Sequence, residues 1–215
     1  MIAINPAITT NAAGTFSVSL DGLMQGMAMD DPAVRNQLTG GQLAQTETLP
    51  MFGGIPIAEN IPPAVVLPAR QMDSSLGMLI TRATTGAVAG GGPTLATTMT
   101  GISVFNQNHA AINSPQSPVP QVDPGMLVNY YRFGSRARIA FMMDPAFNPA
   151  TAGLTGPALS WVAASGWISN AGGIALPATT RIVGYNLGNS MTVLYNALTG
   201  FCTWVRNGNA ILLEI

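Results

Sequence analysis

Hydrophobic residues along this chain recur at intervals of two, in short stretches cut off by glycine or proline, which is the spacing of half-buried strands. Residues 15–20 (TFSVSL) alternate in this way, at the end of an extended N-terminal arm interrupted by Asn5-Pro6 and Ala13-Gly14. One stretch favours a helix. In 20–30 (LDGLMQGMAMD), Leu20, Leu23, Met24 and Met27 would share a face over two turns, against the helix cost of Gly22 and Gly26. Residues 30–63 carry many breakers, among them Pro32, Gly40-Gly41, Pro50, Gly53-Gly54 and Pro62-Pro63, and read as loop with short extended pieces. Residues 64–70 (AVVLPAR) are apolar, but Pro68 keeps them from the middle of a sheet. Residues 76–83 (LGMLITRA) form a better strand, and the glycine-rich 86–94 a loop tip.

From there strand signals come at short intervals. Residues 102–107 (ISVFNQ) are followed by NSPQSPVPQVDPG (113–125). Residues 126–133 and 137–143 flank Gly134-Ser135 as a hairpin, and 159–163 and 166–169 follow, each with a tryptophan. Residues 182–187 and 190–195 meet at Gly188-Asn189, and 201–206 and 209–215 at Asn207-Gly208. Asn-Gly supplies the two positive φ angles of a type I′ turn, so this last hairpin is the strongest local signal. The whole predicts an all-β fold, a sandwich or small barrel of about nine or ten short strands with long extended loops and an N-terminal arm. Two regions are expected: a loop-rich 1–75 and a β-rich core over 76–215.

Composition changes the picture in one direction. Only 8% of the 215 residues are charged, against roughly 25% in an average domain. All eight basic residues are arginine. A surface so poor in charge is suited to being covered by other subunits, and arginine, weakly hydrated and planar, suits contacts that lose their water. A compositional bias of the source would look the same. With a net charge of −1 and no basic run, there is no phosphate-neutralising groove, which argues against direct nucleic-acid binding. The longest apolar runs are far below the roughly 20 residues of a membrane helix, and the N-terminus lacks the pattern of a signal peptide. One cysteine, Cys202, excludes an internal disulfide and suits a reducing cytoplasm.

Catalytic constellations are scarce. His109 is the only histidine, and pairing with Cys202 would require the fold to bring the two together. One histidine, one cysteine and scattered acids select no metal site and no carboxylate pair; no cofactor is expected. Trp161, Trp167 and Trp204 read as core, with a sugar-stacking platform as the alternative. Adjacent Tyr130 and Tyr131 point to opposite faces of a strand, one expected in the core and the other exposed beside Arg132. Arg132, Arg136 and Arg138 form the densest basic site, sized for an intersubunit contact. Pro115, Pro118, Pro120 and Pro124 each fix φ and remove a donor. Residues 113–125 therefore form either a stiff strap laid over a neighbouring chain or a long surface loop of the same domain.

Residues 102–145 carry a resemblance. The strand ending in Phe105-Asn106-Gln107, the run 114–120 (SPQSPVP), Gly125, the strand end 131–135 (YRFGS) and Arg138 resemble structural cement proteins of tailed bacteriophages, and GGQLAQ (40–45) is similar to an element near their start. The resemblance implies a small β domain on the outer surface of a phage head, made in the host cytoplasm, which bridges neighbouring major capsid subunits as a dimer or trimer and acts by binding alone. It implies contacts at Pro115, Pro118, Pro120, Tyr131, Arg132, Arg136 and Arg138, together with the N-terminal arm. A minor tail or fibre protein, a carbohydrate-binding β module using the tryptophans, and an enzyme built on Cys202 and His109 are the rival readings.

Overall fold

The computed structural model describes residues 22–29, 32–60, 79–83, 99–105, 119–152, 159–163, 165–196 and 201–215. These are mostly strand; the helices among them, α1 (Pro32–Arg35) and α2 (Pro149–Ala152), are single turns. Five short strands close into a barrel: β1 (Thr39–Leu43), β2 (Pro56–Asn60), β3 (Leu79–Arg82), β4 (Gly101–Ser103) and β5 (Leu127–Arg132), in the order β1-β3-β2-β4-β5. The β1–β3 pair is parallel and the others are antiparallel, with β1 against β5 closing the ring. Two staves, β1 and β2, come from the breaker-rich stretch before residue 63. Glycine at 40 and 41 and proline at 56 do not prevent this, because each strand is only five residues long.

Leu43, Ile57, Ile80, Ile102 and Tyr130 are fully buried in the barrel. Three polar side chains enclosed with them, Ser103, Asn60 and Thr81, find partners. Ser103 Oγ donates to the Phe52 carbonyl at 2.6 Å and accepts from the Ile55 N–H at 3.0 Å. Asn60 Nδ2 donates to Thr81 Oγ1 at 2.9 Å across β2 and β3. Gly101 is required here by space, since a Cβ would lie 2.4 Å from the Tyr131 carbonyl oxygen.

A second sheet holds β6 (Arg138–Met142), β10 (Arg181–Asn196) and β11 (Phe201–Glu214), in the order β10-β11-β6. A third, small sheet is formed by β7 (Ser160–Val162), β8 (Trp167–Ser169) and β9 (Ile174–Ala175). One apolar cluster joins all three, from Leu43 and Ile57 in the barrel through Ile139, Phe141, Cys202 and Ile211 to Trp161 and Ile168. Residues 22–29 staple the barrel to the second sheet. Met24 bridges Met191, Ala28 bridges Ile139, Gly26 N–H donates to the Ala140 carbonyl at 2.8 Å, and Phe105 N–H donates back to the Gly26 carbonyl at 2.9 Å. Gly26 has φ +79°, and a Cβ there would lie 2.4 Å from Gly53 Cα. Gln25, buried between them, accepts from Val193 N–H at 2.9 Å.

The structure corrects several expectations. The stretch 22–29 is no helix: positive φ at Gly26 and pairing with two strands take it into an extended staple. Strands β5 and β6 do turn at Gly134 (φ +90°), but they do not pair; β5 stays in the barrel and β6 joins β11. Gly188-Asn189 and Asn207-Gly208 are not hairpin turns. Both lie inside one long antiparallel ribbon, β10 against β11, whose register shifts between Asn186 and Ser190 and again between Ser190 and Thr192. Gly188 (φ +73°) and Asn207 (φ +61°) are bulge residues, tied together where Asn209 Oδ1 accepts from Gly188 N–H at 2.8 Å. Tyr130 and Tyr131 are both buried, because each face of β5 at that point is covered.

Candidate functional site

The contact residues expected from the sequence fall in three places. The first is the strap. Residues 113–118, with Pro115 and Pro118, lie outside the described residues, as does His109. Residues 119–125 lie on their own barrel. Val119 is fully buried, Val122 exchanges two backbone hydrogen bonds with Met51 at 2.8 and 2.7 Å, and Gly125 N–H donates to the Leu43 carbonyl at 2.8 Å. Pro120 borders a small apolar pocket with Met51, Phe105 and Leu127. The second half of the segment is therefore a loop of the same domain, the alternative that the sequence left open.

The second place is the barrel end around Arg132. Its Nε donates to Glu59 Oε1 at 2.7 Å; the arginine side chain is 52% exposed and the glutamate 10%. That hydrogen bond and the Glu59 charge raise the Arg132 pKa. Burial, reinforced by the neighbouring Glu59 carboxylate, raises that of the Tyr130 hydroxyl. Arg132 thus closes β2 onto β5 while leaving its outer surface to solvent. Tyr131, expected as an exposed anchor next to it, is 7% exposed.

The third place unites Arg136 and Arg138 with two residues that sequence inspection passed over. Arg138 on β6, Glu214 on β11 and Arg181 on β10 stand directly opposite one another across three strands. Arg138 Nε donates to Glu214 Oε2 at 3.3 Å, and Arg181 Nη2 to Glu214 Oε1 at 2.6 Å. One carboxylate is shared by two guanidiniums, so the row keeps a positive charge. Arg136 sits at the start of β6, where its N–H donates to the Ile215 carbonyl at 2.6 Å. Its φ is +61°, a region that costs an L-residue with a Cβ roughly 1–2 kcal/mol. An open depression of about 570 Å³ lies between these groups, lined by Gly134, Arg136, Thr179, Arg181, Glu214 and Ile215.

An apolar surface was also missed. Val183, Tyr185 and Leu187 recur at period two on β10 and are 41%, 36% and 50% exposed; Leu194 and Val205 on the same ribbon are exposed as well. Tyr185 pairs with Ile211 and so shares a sheet face with that buried residue. It stays partly in solvent on β10, the outer strand of its sheet. The sequence signal was blurred by Ile182, which puts apolar residues on both parities.

Of the residues behind the rival readings, His109 lies outside the described residues, and the three tryptophans and Cys202 are placed as follows. Trp161 is buried and Trp167 half-buried in the small sheet, while Trp204 lies on β11 with its ring edge-on to Phe105 at 5.7 Å. Cys202 is buried, and burial pushes its thiol up to about 11, partly offset by Arg82, so at neutral pH it is a protonated, sheltered sulfur. Arg82 itself is held on the barrel side by the Pro50 carbonyl and by the Phe52 ring 5.4 Å away. Burial lowers its pKa against the pull of Glu47. Among the described residues no group of three or more His, Cys, Asp or Glu could hold a metal, and no helix is long and apolar enough to cross a membrane. No protein-family model, curated protein or solved structure matches the chain.

Proposed function

We propose that this protein is a non-catalytic virion component that binds the outer surface of a bacteriophage head and cements neighbouring major capsid subunits. The observation that carries the reading is the long β10–β11 ribbon. It holds Val183, Tyr185, Leu187, Leu194 and Val205 in solvent on a chain with only 8% charged residues. Apolar side chains presented at period two on an outer strand are suited to burial against another protein surface. The likeness of residues 102–145 to phage cement proteins supplies the identity of that surface. The exposed arginines at 132, 136 and 138 fit the rim of such an interface, where planar donors meet carbonyls and carboxylates. Each contact adds roughly 25 cal/mol per Å² of apolar area buried, before association costs. Many copies on one particle then act together.

The test is sedimentation of the purified protein with phage heads that lack it. Saturable co-sedimentation, followed by greater resistance of the heads to heat or osmotic shock, is expected. Protein that stays in the supernatant at every concentration overturns the reading.

A further inference from the structure

We propose that the depression between Arg136 and Arg181 is a docking pocket for a carboxylate side chain on an acidic segment of the neighbouring capsid protein. The inference rests on the cementing function for the identity of the partner; its chemistry comes from the pocket.

Three of the chain's eight arginines border or adjoin this one depression. Among the described residues Glu214 is the only acid lining it, and that carboxylate is already engaged by Arg138 and Arg181. Among the described residues the local balance is three positive charges against one negative, on a chain whose net charge is −1. Arg181 keeps 65% of its side chain in solvent, so its outer donors remain accessible. Arg136 is the telling residue. The backbone places it in the left-handed region, which glycine or asparagine would occupy more easily. Two residues earlier, at Gly134 (φ +90°), the same turn does use glycine. The fold makes a hydrogen bond with the Arg136 main chain, and among the described residues its guanidinium forms no ion pair. An arginine kept at a strained position, with its charged head unused by its own chain, is placed for something outside the chain. A guanidinium fork beside a second one across an open depression matches the paired oxygens of a carboxylate.

Arg136→Gly separates this role from a structural one. Glycine relieves the backbone strain, so the thermal midpoint should hold or rise, whereas affinity for undecorated heads should fall at least tenfold. The wild-type interaction should also weaken with added salt and in the presence of excess hexaglutamate peptide. If wild type binds heads and Arg136→Gly binds equally well, the pocket is not the contact and the cementing reading stands without it. If wild type does not bind heads, the cementing reading fails, and fluorescent hexaglutamate decides the pocket alone. Binding by wild type that is lost in Arg136→Gly supports a carboxylate site, and equal binding or none overturns it.

Discussion

The barrel and the ribbon use the same residue types to opposite ends. In the barrel, five short strands satisfy one another around a closed ring, leaving no free edge. Its isoleucines face inward, and Ser103, Asn60 and Thr81 find partners inside. In the ribbon, two strands of 16 and 14 residues pair with each other, and β10 has no strand on its outer side among the described residues. Val183, Tyr185 and Leu187 have the chemistry of core residues but no core above them. On the proposed function, stability and recognition are divided between two parts of one small protein, joined by the staple at residues 22–29.

That division can be broken from the barrel side first. Ile57→Ala, in the fully buried ring, should destabilise by about 2–5 kcal/mol, the usual cost of emptying such a site. Denaturant unfolding followed by circular dichroism would show it as a lowered midpoint.

An intermediate effect should come from the anchored half of the ribbon. The Cys202 thiol is raised from 9.0 to about 11 in the folded protein, so the native state holds its proton more tightly than the unfolded chain. Its contribution is complete below pH 9 and is lost as pH rises through 11. Cys202→Ala should therefore show a shallower decline in stability across that window than wild type, measured as unfolding free energy against pH. Parallel slopes would remove the thiol from the account.

The smallest stability effect belongs to the exposed face of β10. Leu187→Ser should change folding stability by no more than about 0.5 kcal/mol, since the side chain is half in solvent. Its consequence should appear instead as weaker binding to heads. A large loss of stability would mean that this face of β10 is part of the core after all.

How much of this was legible beforehand varies with the kind of information each residue carries. Strand content was written locally, in the alternation of 126–133 and 137–143 and in the apolar 209–215. Pairing was not. Asn207-Gly208 has the composition of a type I′ turn, but a bulge needs the same positive φ, and local sequence does not separate the two. What decides is that β10 and β11 pair on both sides of it, from Arg181↔Glu214 to Asn196↔Phe201. The same limit applies to Gly134-Ser135, where the bend exists but the strands it joins enter different sheets. Arg136 and Arg138 were visible as a basic cluster because they are close in sequence. Arg181 and Glu214 were not, since their place beside Arg138 arises only from the order β10-β11-β6. Tyr131 was misjudged for a related reason: alternation states which side a residue faces, and only the tertiary arrangement states what lies there.

The paired irregularities at Gly188 and Asn207 have a further effect on how the molecule behaves at high concentration. A long, straight outer strand with an oily stripe is a template for fibril growth, one copy stacking on the next. Kinked midway, with an asparagine side chain tying the two kinks together, the ribbon offers no flat run long enough to propagate such stacking. On the proposed function, side chains meant for a capsid surface can then stand in the open without seeding such growth.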